Sequence, residues 1–249
     1  MGITFANESE EYRAARNRLL DDEIALRRRM ESLAARRRDL PLGPPIAEDY
    51  EFESADGATR VRLSELFRAD NDTLLIYAYM FPRHAADQRA GAVDGELAEL
   101  PKNEQPCPSC TALLDQLDPA ARHYAAMGGA FAVVANTTPE RLRGVARDKG
   151  WKNLRLLSSK NTSFKRAYHA EDDDGQQEPM ILVFRRDSDG TIRLFWASEL
   201  VYAEKDPGQD IRAFGTLDTF WNLFDFTPNG RPNRNEQLDY DCCHDAATR

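Results

Sequence analysis

Between residues 9 and 40 apolar side chains recur at one spacing: Tyr12, Leu19, Leu26, Leu33 and Leu40 stand seven apart, with mostly polar residues between them. A seven-residue interval keeps a stripe on one side of a helix, and the scarcity of breakers predicts one long helix over 9–40. The positions midway along the interval include Arg16, Glu23 and Arg37, with Met30 the apolar exception. The stripe is therefore too narrow for a full coiled-coil seam, and it would dock on the body of the domain or on a second subunit, as in a homodimer. Pro41, Gly43, Pro44 and Pro45 end the helix.

Beyond these prolines the period shortens. Tyr50-Glu51-Phe52-Glu53 and Thr59-Arg60-Val61-Arg62-Leu63 alternate around a turn at Asp56-Gly57 and read as an antiparallel hairpin, after which Ser64 would cap a short helix through Leu66-Phe67. Residues 73–81 are almost continuously apolar, as in a strand covered on both faces. A polar loop over 82–106 follows, unusually long for a compact domain unless it is mobile or functional. The run Thr111 to Leu117 places Leu113, Leu114 and Leu117 on one helical face, and residues 130–135 form a second buried strand. Thr138, Pro139 and Gly150 delimit a helix by its cap, its first position and its stop. Leu154–Leu157 is a short strand, and a polar stretch through Tyr168-His169 and the acidic run 172–174 follows it. Pro179 opens a strand through Phe184, the chain turns at Asp187–Gly190, and a strand returns over 191–196. A last helix is expected around Thr216–Phe224. Alternating strands and helices with a closing hairpin predict an α/β fold: a mixed central sheet flanked by helices, with the long N-terminal helix and the first β-hairpin as extensions. We expect the long helix and its Pro-rich turn over 1–45, the domain over 46–230 and a polar tail over 231–249.

The chemistry centres on Cys107-Pro108-Ser109-Cys110. Two thiols three residues apart close a small ring only where the backbone turns, as it does at a helix start, and Pro108 suits a first helical position that needs no N–H partner. There Cys107 faces unpaired N–H groups and the positive end of the helix dipole, which lower a thiol pKa from about 8.5 into a range of roughly 3.5–7.5. The thiolate is the form that attacks disulfides. A zinc site would need a second ligand pair, and the candidates Cys242, Cys243 and His244 lie more than 130 residues away in the tail. The sequence therefore calls for no metal and no cofactor. Cys107 and Cys110 are the expected catalytic pair, while Cys242-Cys243 could serve as a relay. The Cys110 proton would pass to water, His84 or an acid of the long loop.

Charge narrows the partners. With 33 Lys and Arg against 42 Asp and Glu the net charge is −9, which argues against nucleic acid as the main ligand. The runs Arg27–Arg29 and Arg36–Arg38 belong to a segment 1–40 holding nine basic and eight acidic residues, so they read as a solvated helix face. The N-terminus lacks a basic region followed by an apolar one, and no stretch approaches membrane-spanning length, so the expectation is a cytoplasmic protein without a membrane partner.

This order of elements, with the Cys-x-x-Cys at the first helix start of the domain and Pro179 before the hairpin strand, resembles the thioredoxin fold. That resemblance implies a cis peptide bond at Pro179, with the backbone of Glu178 and Pro179, together with Pro108, receiving an incoming peptide or thiol. More closely, the chain resembles a bacterial thioredoxin-like family of unknown function whose members are described as predicted dithiol-disulfide oxidoreductases. The likeness runs through Arg38-Asp39-Leu40-Pro41, Asp49–Phe52, Leu63–Phe67, Tyr77-x-Tyr79-Met80-Phe81, the dithiol, Gly150-Trp151, Ser163-Phe164 with Tyr168-His169, and Phe226–Arg231. It implies a thiol-disulfide oxidoreductase acting on a protein or small-molecule thiol or disulfide. Two features depart from thioredoxins. Pro106 rather than Trp precedes Cys107, and Leu74 through Phe81 contain no acid. A thiol peroxidase of the same superfamily would need Thr or Ser about three residues before the nucleophile, where Glu104 stands. A non-catalytic adaptor would keep its partner without either cysteine.

Overall fold

A computed structural model describes residues 3–93 and 95–204 of the chain. The helix expected around Thr216–Phe224, the Phe226–Arg231 motif, and Cys242, Cys243, His244 and Asp245 lie outside the described residues. The chain divides into two compact units, up to Gly43 and from Pro44 onward. In the first, α1 (Glu10–Arg38) begins at Ser9, whose hydroxyl oxygen accepts the Tyr12 N–H at 3.1 Å. Glu10 and Glu11 occupy its first turn and Arg36, Arg37 and Arg38 its last, the arrangement the helix dipole favours.

The second unit opens with the predicted hairpin, β1 (Glu51–Ser54) and β2 (Arg60–Arg62), with Phe52 opposite Val61. Gly57 turns it with φ at 72°, a left-handed conformation that favours glycine. The following helix is a single turn over Leu63–Leu66, and Ser64 does not cap it. Leu63 and Leu66 are both buried, which starts the turn earlier; the Arg62 N–H is taken by Glu65 at 2.7 Å, and Ser64 donates from its N–H and hydroxyl to Asp49.

The body of the fold comprises β3 (Thr73–Tyr79), α2 (Gly95–Ala98), α3 (Pro108–Ala126), β4 (Ala130–Ala135), α4 (Pro139–Lys149), β5 (Leu156–Ser158), α5 (Phe164–Ala167), β6 (Met180–Arg186) and β7 (Ile192–Ala197). The strands make one seven-stranded sheet in the order β2-β1-β5-β4-β3-β6-β7. β3, β4 and β5 are parallel, β6 runs against them, β7 turns back antiparallel to β6, and the hairpin adds antiparallel on the β5 edge. Strand, dithiol helix, parallel strand, helix and antiparallel closing hairpin make this a thioredoxin-like fold, as the order of motifs implied. The four-residue α5, inside what reads as a polar stretch, was not foreseen; its Phe164 is buried and nucleates an aromatic cluster.

The two faces of the sheet divide the core. Along β3, Leu74, Ile76 and Ala78 join Tyr50, Phe52, Phe164 and Phe184 on one side, while Tyr77 and Tyr79 join Leu113, Leu114, Trp151 and both cysteines on the other. Covering on both faces explains why the strand is apolar throughout. The Phe164 ring lies 5.3 Å from Tyr50, 5.1 Å from Phe52 and 5.0 Å from Tyr168, so the Ser163–Tyr168 motif chiefly builds core. Asp118 of α3 accepts the N–H groups of Lys152, Asn153 and Leu154, and Asp115 accepts the Trp151 indole N–H at 2.8 Å. These bonds fasten the entry to β5 onto the dithiol helix, with Gly150 supplying the left-handed stop of α4 at φ 69°.

Candidate active site

Cys107 stands immediately before α3, at the end of β3. Its N–H donates to the Met80 carbonyl at 2.9 Å, and its own carbonyl accepts the first helical bond from Thr111 at 3.0 Å. Pro108 occupies the first helical position, as expected. The Thr111 hydroxyl also donates to the Cys107 carbonyl at 2.9 Å, and since it has one proton, the Tyr79 hydroxyl 2.6 Å away must donate to it. Tyr79 thereby ties the strand to the helix start. Tyr77 and Tyr79 are both core residues, on the face of the sheet that carries the dithiol.

The two cysteines come within 3.5 Å of each other and are not joined by a disulfide. Each is only 4% exposed. The loop over 82–106 lies against Cys107, which Arg89 reaches. Arg83 donates its N–H to the Gln105 carbonyl at 2.8 Å and its guanidinium to the carbonyl of Arg89 at 3.0 Å. Gln105 accepts the Ala92 N–H at 2.7 Å and donates to the Leu100 carbonyl at 3.1 Å. A Cβ at Gly91 would lie 2.5 Å from the Gln105 side-chain oxygen, so a larger residue there would push that side chain off the Ala92 N–H. At the far end of the loop, α2 docks on α4 through the Leu97 N–H and Asp148, 3.1 Å apart.

The loop delivers Arg89. Its Nη2 donates to the Cys107 sulfur at 3.3 Å and its Nη1 to the Ser109 hydroxyl at 2.5 Å, while Asp87 accepts from Nε at 2.9 Å and from Nη2 at 2.7 Å. The two-point Asp87 contact fixes the plane of the guanidinium. Arg89 stands in a loop whose length alone marked it as functional; nothing in the local sequence singles out this arginine among its neighbours.

These surroundings separate the two thiols. A hydrogen bond from the Cys110 thiol, the Arg89 charge and the Cys110 backbone N–H pull the Cys107 pKa down to about 6 against the opposing effect of burial. Burial and the neighbouring Cys107 charge push Cys110 well up, although the Tyr77 hydroxyl and the Met80 N–H bond to its sulfur. Cys107 is the acidic thiol and Cys110 the one that holds its proton.

The cis peptide bond among the described residues joins Phe81 to Pro82, so the bond before Pro179 is trans. The Glu178 N–H donates to the Ala170 carbonyl at 3.0 Å, which keeps the chain extended into β6. Glu178 and Pro179 follow on from the end of the β3–β6 register, where Met180 faces Ala78. His84 accepts the Ala86 N–H at its Nδ1, within its own loop, and His169 is a surface residue at φ 56°. No group of three or more potential ligands able to hold a metal occurs among the described residues, and no helix among them is long and apolar enough to cross a membrane.

Fold and site together define a thioredoxin-like domain with a dithiol at the start of α3. Residues 3–246 match the family described as "Bacterial protein of unknown function (DUF899)", and the chain belongs to that family. No curated protein matches it. Among solved structures it is similar to Peroxidoxin BcpB from Mycobacterium tuberculosis, at 15% identity and TM-score 0.40 over 61% of this chain and 82% of that one. A mutant of PrxQ from Xylella fastidiosa aligns at 12% identity and TM-score 0.44, over 74% and 97% of the two chains. An uncharacterized conserved protein from Geobacillus kaustophilus does so at 16% identity and TM-score 0.41, over 70% and 77%.

Proposed function

We propose that the protein is a thiol-disulfide oxidoreductase. The Cys107 thiolate attacks a partner disulfide, forming a Cys107–partner bond and releasing one partner sulfur as a thiolate. Cys110 then attacks Cys107, a Cys107–Cys110 disulfide forms, and the second partner sulfur leaves and takes up a proton. The partner is reduced by two electrons and the dithiol oxidised by two. The observation that carries this reading is the Arg89 guanidinium 3.3 Å from the Cys107 sulfur, beside a second thiol close enough to resolve the adduct. An inert buried pair has no use for a charge aimed at one of its members.

Both sulfurs are buried and the loop over 82–106 reaches Cys107, so this loop must move aside for a protein partner. Pro108, Glu178 and Pro179 are then the proposed wall against which the partner chain lies. The test is capture: full-length Cys110→Ser protein incubated in cell extract retains partners as mixed disulfides released by reductant, and Cys107→Ser retains none. Equal capture by both variants contradicts the reading. Peroxide consumption without disulfide reduction would assign the same thiol to peroxidase chemistry instead.

A further inference from the structure

One buried charge is unused by this mechanism. Lys165, on α5, is 2% exposed, and its Nζ donates to the Tyr79 carbonyl at 2.9 Å and to the Gln177 side-chain oxygen. The Phe81 N–H shares the Tyr79 carbonyl at 3.0 Å. The same peptide unit continues on its other side as the Met80 N–H, which lies on the Cys110 side and acts on its ionisation, while the Met80 carbonyl accepts the Cys107 N–H at 2.9 Å. One planar, polarisable amide therefore stands between an ammonium on its oxygen and a thiol on its nitrogen. A cation bound to the oxygen draws electrons through the amide and makes the N–H a stronger donor, which favours the thiolate over the thiol.

We propose that Lys165 is the positioning cation for the resolving step, stabilising the Cys110 thiolate through the Tyr79–Met80 peptide. This rests on the oxidoreductase reading above and supplies what the strand lacks, since residues 74–81 contain no acid beneath the dithiol. Burial draws the Lys165 pKa down to about 7, opposed by the charges of Cys110 and Glu171, so ionisation of Cys110 and protonation of Lys165 favour each other. The groups facing the ammonium are Cys110, the Tyr79 carbonyl, Gln177 and, behind Gln177, Glu171, whose carboxylate accepts from the Gln177 amide at 3.0 Å and from Asn136 at 2.6 Å. Arg166 meets the other Glu171 oxygen at 3.4 Å. In the step itself the Cys110 proton leaves to solvent, the Cys107–partner sulfur bond breaks, the Cys107–Cys110 bond forms, and Lys165 keeps its own proton.

A chromogenic aryl disulfide separates the two steps. In full-length protein with Cys242→Ser and Cys243→Ser, the first aryl thiolate is released by Cys107 and the second by Cys110. Lys165→Met should slow the second release about tenfold at neutral pH and move its pH midpoint up by about one unit, leaving the first unchanged. Both releases at the parent rate and midpoint would overturn the Lys165 assignment and leave the oxidoreductase reading intact. A first release no faster than that of a free peptide thiol would instead overturn the oxidoreductase reading. Should Lys165→Met not fold, the parent protein decides the matter by nuclear magnetic resonance. The Met80 amide nitrogen should shift with a midpoint near 7 as Lys165 titrates, and an amide that stays still through neutral pH contradicts the coupling.

Discussion

Cys107 and Cys110 are equally hidden, 4% exposed each, yet their surroundings drive them in opposite directions. Cys107 looks toward the loop over 82–106 and meets Arg89, itself held in plane by Asp87. Cys110 looks toward β3 and meets Tyr77, the Met80 N–H and, one peptide further, Lys165. Burial alone raises both thiols, so what separates them is which charges and donors reach each sulfur. A loop can place a full cation in contact with one thiol while the sheet offers the other only dipoles and a cation at one remove.

The largest effect expected from breaking this asymmetry is at Cys107 itself: Cys107→Ser should reduce disulfide reductase activity to background, measured as reduction of a protein disulfide with a dithiol as electron source. Arg89→Met should come next, because it removes both the hydrogen bond and the charge while keeping an unbranched stem. Its thiol at position 107 should alkylate about tenfold more slowly at neutral pH, with a higher pH midpoint. Tyr79→Phe sharpens the comparison from the other side, since it removes the bond to Thr111 without touching either sulfur. It should cost about 0.5–1.5 kcal/mol in urea unfolding and leave the alkylation midpoint where it was.

How much of this was legible in sequence differs by region. The strands, the capped α4 and the helix beginning at Pro108 follow from periodicity and from Thr138, Pro139 and Gly150, because each is fixed by residues adjacent to it. α5 escaped because four residues carry too little periodicity to register, and Ser64 misled because two buried leucines, rather than a hydroxyl, set that turn. At the site the dithiol was plain. Arg89 and Lys165 were not, since each reaches the thiols across a loop or a sheet, 18 residues before Cys107 in one case and on a separate short helix in the other. The cis proline expected at Pro179 is instead Pro82, at the mouth of that loop. His84, considered as a proton acceptor for Cys110, turns its Nδ1 to its own backbone.

The most direct test of the account is the ionisation of Cys107, followed by thiolate ultraviolet absorbance in full-length Cys110→Ala, Cys242→Ser, Cys243→Ser protein with Arg89 present and with Arg89→Met. That background lacks the Cys110 hydrogen bond, so the midpoint should lie somewhat above the value of about 6 in the intact dithiol, still below an ordinary thiol, and Arg89→Met should raise it further. A midpoint at the ordinary thiol value of about 8.5, unmoved by loss of Arg89, would contradict it.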